Sequence, residues 1–158
     1  MGDALAKFLH RLRPWVPALL WAFMISYAST DTFSSSNTSV IILPILRRLF
    51  PLASPETLES VHYLIRKLAH LSEYFLFSLL LLRGVRGNDR GWKLRWAIWA
   101  LAIAAGYSAL DEFHQSFVPS RTASPWDSLL DTTGAAVAQV VSYLWVKLRV
   151  RGRVTGDL

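Results

Sequence analysis

The sequence predicts an all-α integral membrane protein: a four-helix transmembrane bundle with short interfacial helices in its first extracytoplasmic loop. The composition is 53% hydrophobic with 7 Trp in 158 residues, and the mean hydropathy is +0.31. This apolar and aromatic content is higher than that of an ordinary soluble domain. Stretches such as 75–82 and 97–105 are apolar all round and lack the polar stripe of a solvent-facing helix. The chain length predicts one domain, residues 1–158.

Four apolar runs supply the predicted spans. Each run is shorter than the roughly 20 residues that a spanning helix needs, so each is extended into its polar outer end. The resulting spans are residues 14–30, 67–83, 95–113 and 127–147. This extension puts ionisable side chains at the membrane boundary, where they are costly unless they pair or line a wet cavity.

The first run, residues 14–30, has a second interpretation. A basic segment, an apolar core and Ser26-Tyr27-Ala28 are typical of a cleaved signal peptide. The apolar core lies at or beyond the usual upper length for such a peptide, which favours a retained span. The later topology is the same in both cases.

The basic residues predict that both termini and the middle loop are cytoplasmic. Most of the 17 Lys and Arg fall in three segments that flank the spans, and the positive-inside rule assigns such segments to the cytoplasm. These residues are Lys7, Arg11, Arg13, Arg83, Arg86, Arg90, Lys93, Arg95, Lys147, Arg149, Arg151 and Arg153. The tryptophans then form an aromatic belt, with Trp15, Trp92, Trp96 and Trp145 at the inner interface and Trp126 at the outer one. No continuous basic face is predicted, so the net charge of +6 gives no reason to expect a nucleic acid partner.

The first extracytoplasmic loop, residues 31–66, contains predicted structure. Its Ser- and Asn-rich start, residues 31–39, is typical of a loop. Residues 40–50 predict a short interfacial helix. Ser54-Pro55-Glu56 predicts the start of another helix, with a serine N-cap, proline at the first position and an acid in the first turn.

The first ionisable cluster comprises Lys67, His70, Glu73 and Tyr74. The first three are spaced i, i+3 and i+6, so they share one face of a helix. One interpretation is a polar pair that orients one helix against another. The other is a functional site near the membrane boundary, with His70 and Glu73 as acid and base or as a ligand pair and with Lys67 and Tyr74 binding the substrate.

The second cluster contains Asp111, Glu112, His114 and Gln115. Asp111 and His114 lie one turn apart, and an aspartate that accepts one ring N–H leaves the other nitrogen free for a proton or a metal. Glu112 is expected on a different face, and Gln115 follows Asp111 by four residues. We predict catalytic roles for Asp111, His114 and Glu112, and substrate binding for Gln115, with a structural role as the alternative.

Two residues after this cluster have competing interpretations. Ser124 and Pro125 predict a helix start in which Asp127 is the reciprocal acid of a capping box, although Asp127 could also contact substrate. Arg121, beside that helix start, is suited to hold a phosphate or carboxylate. Its structural alternative is a salt bridge to Asp127, Asp111 or Glu112.

The last span is predicted to pack closely against a neighbour. Gly134 and Ala138 form a small-xxx-small face that allows two helix backbones to approach in lipid. Asp131, one turn after Asp127, adds a further carboxylate to this helix.

No cofactor is predicted. The chain has no cysteine, so a thiolate site is excluded, and a divalent metal would need His and carboxylate ligands. None of the spacings is specific to a metal, and no P-loop, GxSxG or dinucleotide motif occurs. The metal question therefore stays open at this point.

The two clusters resemble the VanZ-like family of small integral membrane proteins, whose namesake is associated with low-level teicoplanin resistance in Gram-positive bacteria. The family pattern K-x-x-H-x-x-E-Y matches residues 67–74, and D-E-x-H-Q-x-F-x-P-x-R matches residues 111–121, followed by Asp127. Ser29 sits where the family tends to have a serine closing the first span, whereas Asp131 stands where asparagine is common. The resemblance implies a multi-span protein of the bacterial envelope and supplies no reaction.

Three functional hypotheses follow. The first is a bacterial inner-membrane protein that acts at the extracytoplasmic face on a membrane lipid or lipid-linked glycan precursor, with a link to glycopeptide resistance. As an enzyme it would be an acid–base or metal-assisted hydrolase or transferase, with His114 oriented by Asp111, Glu73 paired with His70, and Arg121 on the anionic headgroup. The second is a non-catalytic accessory protein whose polar cluster is structural. A proton-coupled carrier is disfavoured because the ionisable groups cluster at one face. The oligomeric state stays open.

Overall fold

The computed structural model describes residues 8–89, 91–121 and 123–155. This part of the chain is helical and contains no strand, which confirms the all-α prediction. The five α-helices are α1 (Val16–Ala28), α2 (Ser35–Leu49), α3 (Pro55–Arg86), α4 (Leu94–Gln115) and α5 (Pro125–Thr155). Lys7 and Arg90, which contribute to the predicted orientation, lie outside the described residues, as does the side chain of Arg153.

The predicted first span, residues 14–30, covers α1 and most of the 3-10 turn before it. Residues 8–12 are helical, and a 3-10 turn over Arg13–Trp15 connects them to α1. Pro14 and Pro17 carry no backbone N–H, so the regular i to i−4 bonds cannot form here and the turn tightens. α1 ends at Ser29, whose N–H donates to the Ile25 carbonyl at 2.9 Å.

α2 begins earlier than the sequence pattern indicated. Ser34 is its N-cap and accepts a hydrogen bond from the Asn37 N–H at 3.4 Å. The predicted helix over residues 40–50 is confirmed, but the loop predicted for residues 31–39 is wrong for its second half, because residues 35–39 are already helical. Serine and asparagine indicate loops in general, yet they are also the preferred residues at a helix start.

α3 is a single continuous helix of 32 residues. Its predicted start is confirmed, since the Ser54 side chain accepts from the Thr57 N–H at 3.3 Å and Pro55 is the first helical residue. The helix is about 48 Å long, against a hydrocarbon core of about 30 Å. It ends at Gly87, where φ is 61°, a left-handed conformation that favours glycine.

Among the described residues, two helices are long and apolar enough to cross a membrane, Pro55–Arg86 and Pro125–Arg149, so two of the four predicted spans meet this test. Only 33% and 28% of their apolar windows are buried within the chain, whereas the core helix of a soluble protein is mostly buried. Large apolar side chains are also exposed on the other helices, for example Phe23 on α1 at 72% and Trp99 on α4 at 63%. Such a surface fits a hydrocarbon environment better than water.

α3 and α5 pack in close contact. A Cβ atom added to Gly134 would lie 2.3 Å from the Leu71 carbonyl oxygen, so only glycine fits this point of approach. Ala135 and Ala138 are fully buried on the same helix. The close packing predicted from Gly134 and Ala138 is therefore confirmed.

A buried polar pair joins the same two helices. Gln139 Nε2 donates to Ser78 Oγ at 2.7 Å, and Ser78 Oγ donates to the Ala135 carbonyl at 3.0 Å. Beyond this pair the buried residues of α3 are Leu81, Leu82 and Gly84. Polar contacts between α3 and α5 thus give way to an apolar core toward the C-terminal end of α3.

Most of the tryptophans predicted for the inner interface pack into the core. Trp15 lies against Gly84, where an added Cβ would meet the indole at 2.7 Å. Trp96 is buried, and Trp92 packs against Tyr143 with ring centroids 5.0 Å apart. Among the tryptophans assigned to the belt, Trp145 and Trp126 have large exposed surfaces.

Candidate functional site

The candidate site lies where α4 ends and α5 begins. Residues 116–124 connect these helices in the sequence. Arg121 contacts the end of α1, and Ser124 contacts Glu112 in the last turn of α4. Five of the predicted site residues line one cleft here: Lys67, His70, Gln115, Arg121 and Asp127.

Two pairs of ionisable side chains lie one turn apart along the interface between α3 and α5. Lys67 Nζ pairs with Asp127 Oδ1, and His70 Nδ1 lies 3.4 Å from Asp131 Oδ1. Lys67 and His70 are three residues apart on α3, and Asp127 and Asp131 are four residues apart on α5. Both spacings correspond to about one helical turn, so the second pair lies one turn from the first. This register joins the two helices through charged groups in addition to the close contact at Gly134.

Asp131 is the most buried carboxylate among the described residues, with a relative exposure of 1%. Ser108 Oγ donates to its Oδ2 atom at 2.9 Å and also contacts Ser128 Oγ at 3.1 Å. The Asp131 Oδ1 atom is within ion-pair distance of His70 Nδ1 but has no aligned hydrogen bond. A carboxylate fixed on this side leaves His70 Nε2 as the nitrogen available to a ligand.

Asp111 is bound on the α1 side. Ser29 Oγ donates to its Oδ2 atom at 2.6 Å, and Gln115 Nε2 donates to the same oxygen at 2.9 Å. All three residues are buried. Asp111 therefore joins α4 to the end of α1, and Ser29 is one of its partners.

The predicted pairing of Asp111 with His114 is wrong. His114 is exposed, and its ring makes no hydrogen bond among the described residues. Successive helical residues are rotated by about 100°, so the residue at i+4 lies about 40° from Asp111 and that at i+3 about 60° away on the other side. Because Asp111 points at α1, Gln115 turns inward with it and His114 turns outward.

Glu112 caps α5. Its Oε2 atom accepts a hydrogen bond from the Ser124 N–H at 2.8 Å. The helix start at Ser124 and Pro125 is confirmed, but Asp127 is not the reciprocal acid of its capping box, because its carboxylate is bound to Lys67. The capping acid comes instead from the last turn of α4, which a capping box read along one helix does not reveal.

Arg121 holds the end of α1. Its Nη2 atom donates to the carbonyls of Ala28 and Thr30, the latter at 2.9 Å, and its Nε atom donates to Thr30 at 3.3 Å. The salt bridges considered for Arg121 are absent from the described residues. Burial lowers the pKa of the guanidinium and nearby Arg66 lowers it further, but an arginine side chain stays protonated in proteins.

Glu73 and Tyr74 have different environments. The Glu73 side chain is half-buried beside His70, and its carboxylate has no hydrogen bond among the described residues. Tyr74 is fully buried, with its ring edge-on to Phe77 at 6.1 Å. Its hydroxyl has no partner in the described structure. Tyr74 lines neither of the two clefts described next, so its predicted contact with substrate is not favoured.

A cleft of about 460 Å³, here called the polar cleft, opens between α3, α5 and residues 116–124. Three permanent cations and one carboxylate are among its lining side chains. The lining residues are Ser35, Tyr63, Arg66, Lys67, His70, Gln115, Ser120, Arg121, Ser124, Trp126 and Asp127. The cleft therefore favours an anion.

A second cleft of about 610 Å³, the apolar cleft, lies between α1, α2 and α3. Its lining is mostly hydrocarbon, and Glu73 contributes the one carboxylate. The lining residues are Met24, Tyr27, Ala28, Ser29, Phe33, Thr38, Ile42, Ile65, Arg66, Ala69, His70, Glu73 and Arg121. Arg66, His70 and Arg121 line both clefts. These three side chains therefore lie between the polar cleft and the apolar cleft.

The described residues contain no group of three or more His, Asp or Glu side chains placed to hold a metal ion. The nearest arrangement is the pair of His70 and Asp131. No spacing in the sequence is specific to a metal either, so neither the sequence nor the described residues identify a ligand set for a metal.

Three residues of the site were not selected from the sequence. Asp131 was noted only as an added carboxylate, Ser108 was not considered, and Arg66 was assigned to the loop before the second span. Asp131 could have been selected from the sequence, because Asp127 and Asp131 lie one turn apart, as Lys67 and His70 do. This common spacing allows the two helices to form two adjacent pairs. A serine in an apolar helix and an arginine in a loop are too common to be selected without coordinates.

Comparison with known protein families gives a match that covers most of the chain. The family model described as VanZ/LLP1 matches residues 14–146. No curated protein and no solved structure matches the chain. The matched residues include α1, both ionisable clusters and Asp131.

Proposed function

The chain belongs to the VanZ-like family, and on that premise we propose that it binds the anionic headgroup of a lipid-linked substrate at the outer face of a bacterial inner membrane. The substrate class is a membrane lipid or a lipid-linked precursor of the cell envelope. Such a substrate would connect this site with the glycopeptide resistance associated with the namesake of the family.

The proposal includes the membrane arrangement. Residues 1–158 form one domain in which residues 14–30, 67–83, 95–113 and 127–147 cross the membrane as a four-helix bundle. Both termini are cytoplasmic. The long apolar helices α3 and α5 and their exposed hydrocarbon surface support this arrangement.

One observation carries the proposal: the polar and apolar clefts share Arg66, His70 and Arg121. An amphiphile would place its anionic group in the polar cleft and its hydrocarbon chain in the apolar cleft. The shared side chains would contact the ligand where its polar and apolar parts join. A soluble anion would leave the apolar cleft without an occupant.

Arg121 is prepared for such a ligand. Its Nε and Nη2 atoms are held by the carbonyls of Ala28 and Thr30, while Nη1 makes no hydrogen bond among the described residues. A guanidinium fixed by these three hydrogen bonds loses little further conformational entropy when its free N–H groups bind a phosphate oxygen. Arg66 and Lys67 would supply further charge-assisted bonds.

The acid–base pair of the proposed site is His70 with Asp131. The pairing predicted for His114 and Asp111 is not formed, whereas His70 faces both clefts and its Nδ1 atom faces a fixed carboxylate. His70 Nε2 would move a proton at the substrate, and Glu73, one turn away, would be the complementary acid. The sequence cluster at residues 67–74 is therefore the proposed reaction centre.

The binding step is tested with the purified full chain in detergent micelles. Undecaprenyl phosphate is titrated against undecaprenol, and binding is followed by the fluorescence of Trp126, which lines the polar cleft. A Trp126→Phe variant identifies that part of the signal. We expect Arg66→Gln to weaken binding of the phosphate about tenfold, while Arg48→Gln, an exposed arginine outside both clefts, changes it less than twofold.

Two results would contradict the proposal. Equal binding of undecaprenol and its phosphate would show that the cations do not select an anion. Equal losses in Arg66→Gln and Arg48→Gln would show that the net charge of the protein, and not the polar cleft, controls binding.

A specific observation also favours a second function, that of a non-catalytic accessory protein. Asp111, Glu112 and Arg121, the charged residues of the second motif, all form bonds that join one segment to another. In this case the motif would specify the fold, and variants of these residues would lose folded protein. Retained binding without any turnover of the lipid would favour this second function.

A further inference from the structure

The end of the bundle opposite the site has a separate cleft, here called the arginine cleft. It lies between the C-terminal half of α3 and the middle of α5, next to Trp92, and has a volume of about 670 Å³. Leu76 and Leu80 of α3 and Val141 of α5 form part of its apolar wall. None of the residues assigned to the candidate site lines it.

Two donors in the wall of this cleft have no acceptor. Arg86 Nε and Trp92 Nε1 are buried, and neither has a hydrogen-bond partner among the described residues. A buried N–H without a partner destabilises the folded state, so native structures rarely retain one. Both side chains line the cleft, and a ligand oxygen there would satisfy both.

The charge of the cleft also points to an anion. Arg83, Arg86 and Arg149 contribute three guanidinium groups, and the described lining includes no carboxylate. Arg149 is positioned over the Trp145 ring at 4.7 Å. Arg83 and Arg86 also line an adjoining polar cleft of about 400 Å³, so the same arginines separate a hydrocarbon surface from a polar one.

We propose that the arginine cleft binds an anionic phospholipid of the cytoplasmic leaflet. The phosphate accepts hydrogen bonds from Arg86 and Trp92, and an acyl chain lies along Leu76, Leu80 and Val141. This inference rests on the membrane arrangement proposed above, in which the Arg83 end faces the cytoplasm. The ligand differs from that of the candidate site, at the other end of α3.

A second copy of the chain fits this cleft less well. A twofold contact through the arginine cleft would bring three arginines of one copy close to the same three of the other. Like charges would then be desolvated together, which is unfavourable. A lipid phosphate supplies the opposite charge and the missing acceptor at once.

The test is native mass spectrometry of the full chain in detergent, with phosphatidylglycerol and phosphatidylcholine of identical acyl chains as competing probes. We expect wild type to retain phosphatidylglycerol, and Arg83→Gln combined with Arg86→Gln to reduce the bound fraction at least about tenfold. The matched control is Arg11→Gln with Arg95→Gln, which removes the same charge from exposed positions outside the cleft. A Trp92→Phe variant keeps the ring and deletes the donor, and should reduce binding several-fold.

Four outcomes would overturn the inference. The first is equal retention of the two lipids, and the second is an equal loss of binding in the two double variants. The third is unchanged lipid binding both in Trp92→Phe and in a folded Arg83→Gln, Arg86→Gln variant. The fourth is a dimer that forms without lipid and that the cleft variants abolish. The binding of undecaprenyl phosphate, measured on the same samples, separates this failure from failure of the proposed function. Recovery of the wild-type chain in the soluble fraction without detergent would overturn both.

Discussion

The His70 imidazole and the Asp131 carboxylate lie 3.4 Å apart across the interface between α3 and α5. Ser108 fixes the carboxylate from α4, so three helices meet at this pair. A buried carboxylate in such a position can orient a histidine for chemistry or hold the helices in register. The two roles predict different responses to substitution.

The first prediction concerns the contribution of Asp131 to stability. Asp131→Leu leaves Ser108 without its acceptor and removes the carboxylate that lies beside His70, and we expect it to lower the free energy of unfolding by about 3 kcal/mol. Asp131→Asn retains an acceptor for Ser108 and should cost about 1 kcal/mol. The measurement is unfolding in mixed detergent micelles, with the exposed Asp31→Asn as the control. Equal stability of Asp131→Leu and wild type would contradict the observed contacts.

The second prediction uses two glycines in different surroundings. Gly134→Ala places a Cβ 2.3 Å from the Leu71 carbonyl oxygen, which belongs to the backbone of α3 and cannot turn away. We expect a loss of about 2 kcal/mol or more, because overpacking forces the helices apart. Gly106→Ala meets no atom within 4 Å and should instead gain up to about 1 kcal/mol through helix propensity. Thermal unfolding of the two variants checks the opposite signs.

The third prediction tests the cap of α5. Glu112→Ala removes the acceptor of the Ser124 N–H, and we expect it to lower the free energy of unfolding by about 1–2 kcal/mol. Glu112→Gln retains an oxygen acceptor and should cost less than half of that. Asp127→Ala tests whether Asp127 stabilises the protein as a capping residue or through its ion pair with Lys67. If Asp127 acts through the ion pair, Asp127→Ala should cause no further loss of stability in a Lys67→Ala background. An unchanged loss in that background would restore Asp127 as a capping residue.

Local signals explain which parts of the fold were predictable. Ser54-Pro55 and Ser124-Pro125 start helices because the cap and the proline act within one turn. Gly134 and Ala138 indicated close packing because a missing side chain limits the distance between two backbones in any fold. The cap signal did not locate the start of α2, because serine is suited to both a loop and an N-cap and no proline follows it there.

The partners of the charged residues were not predictable in the same way. Asp111 binds Ser29, which is 82 positions away, and its direction depends on how α4 is rotated against α1. That rotation also turns His114 outward. Glu112 caps a helix other than its own. Spacing along one helix identifies which residues share a face, but the neighbour of that face is set by the tertiary packing.

The fourth prediction concerns the link between α1 and α4. Ser29→Ala removes a hydrogen bond of 2.6 Å to a buried carboxylate and leaves Gln115 as the remaining donor. Hydrogen bonds to charged groups contribute about 1.5–3 kcal/mol, so we expect a loss near the lower value. Ser116→Ala is the control, because its exposed hydroxyl only donates to the Phe113 carbonyl of its own turn. Comparable losses in the two variants would show that the contact with Asp111 contributes nothing specific.

The fifth prediction separates the two histidines of the sequence motifs. His114 is exposed and has no partner among the described residues, so His114→Ala should change the stability by less than about 0.5 kcal/mol and leave the affinity for undecaprenyl phosphate within twofold. His70 lines both clefts and faces Asp131, so His70→Ala should weaken that affinity about tenfold.

His70→Gln is the matched variant for this comparison, because it retains a polar side chain without a titratable ring. If His70 only binds the headgroup, the glutamine should recover part of the affinity. If His70 also moves a proton, a turnover assay with the same lipid should remain inactive despite that recovery. Loss of binding in a folded His114→Ala variant would instead put the ligand on the outward face of α4, because that is the surface on which the His114 ring lies.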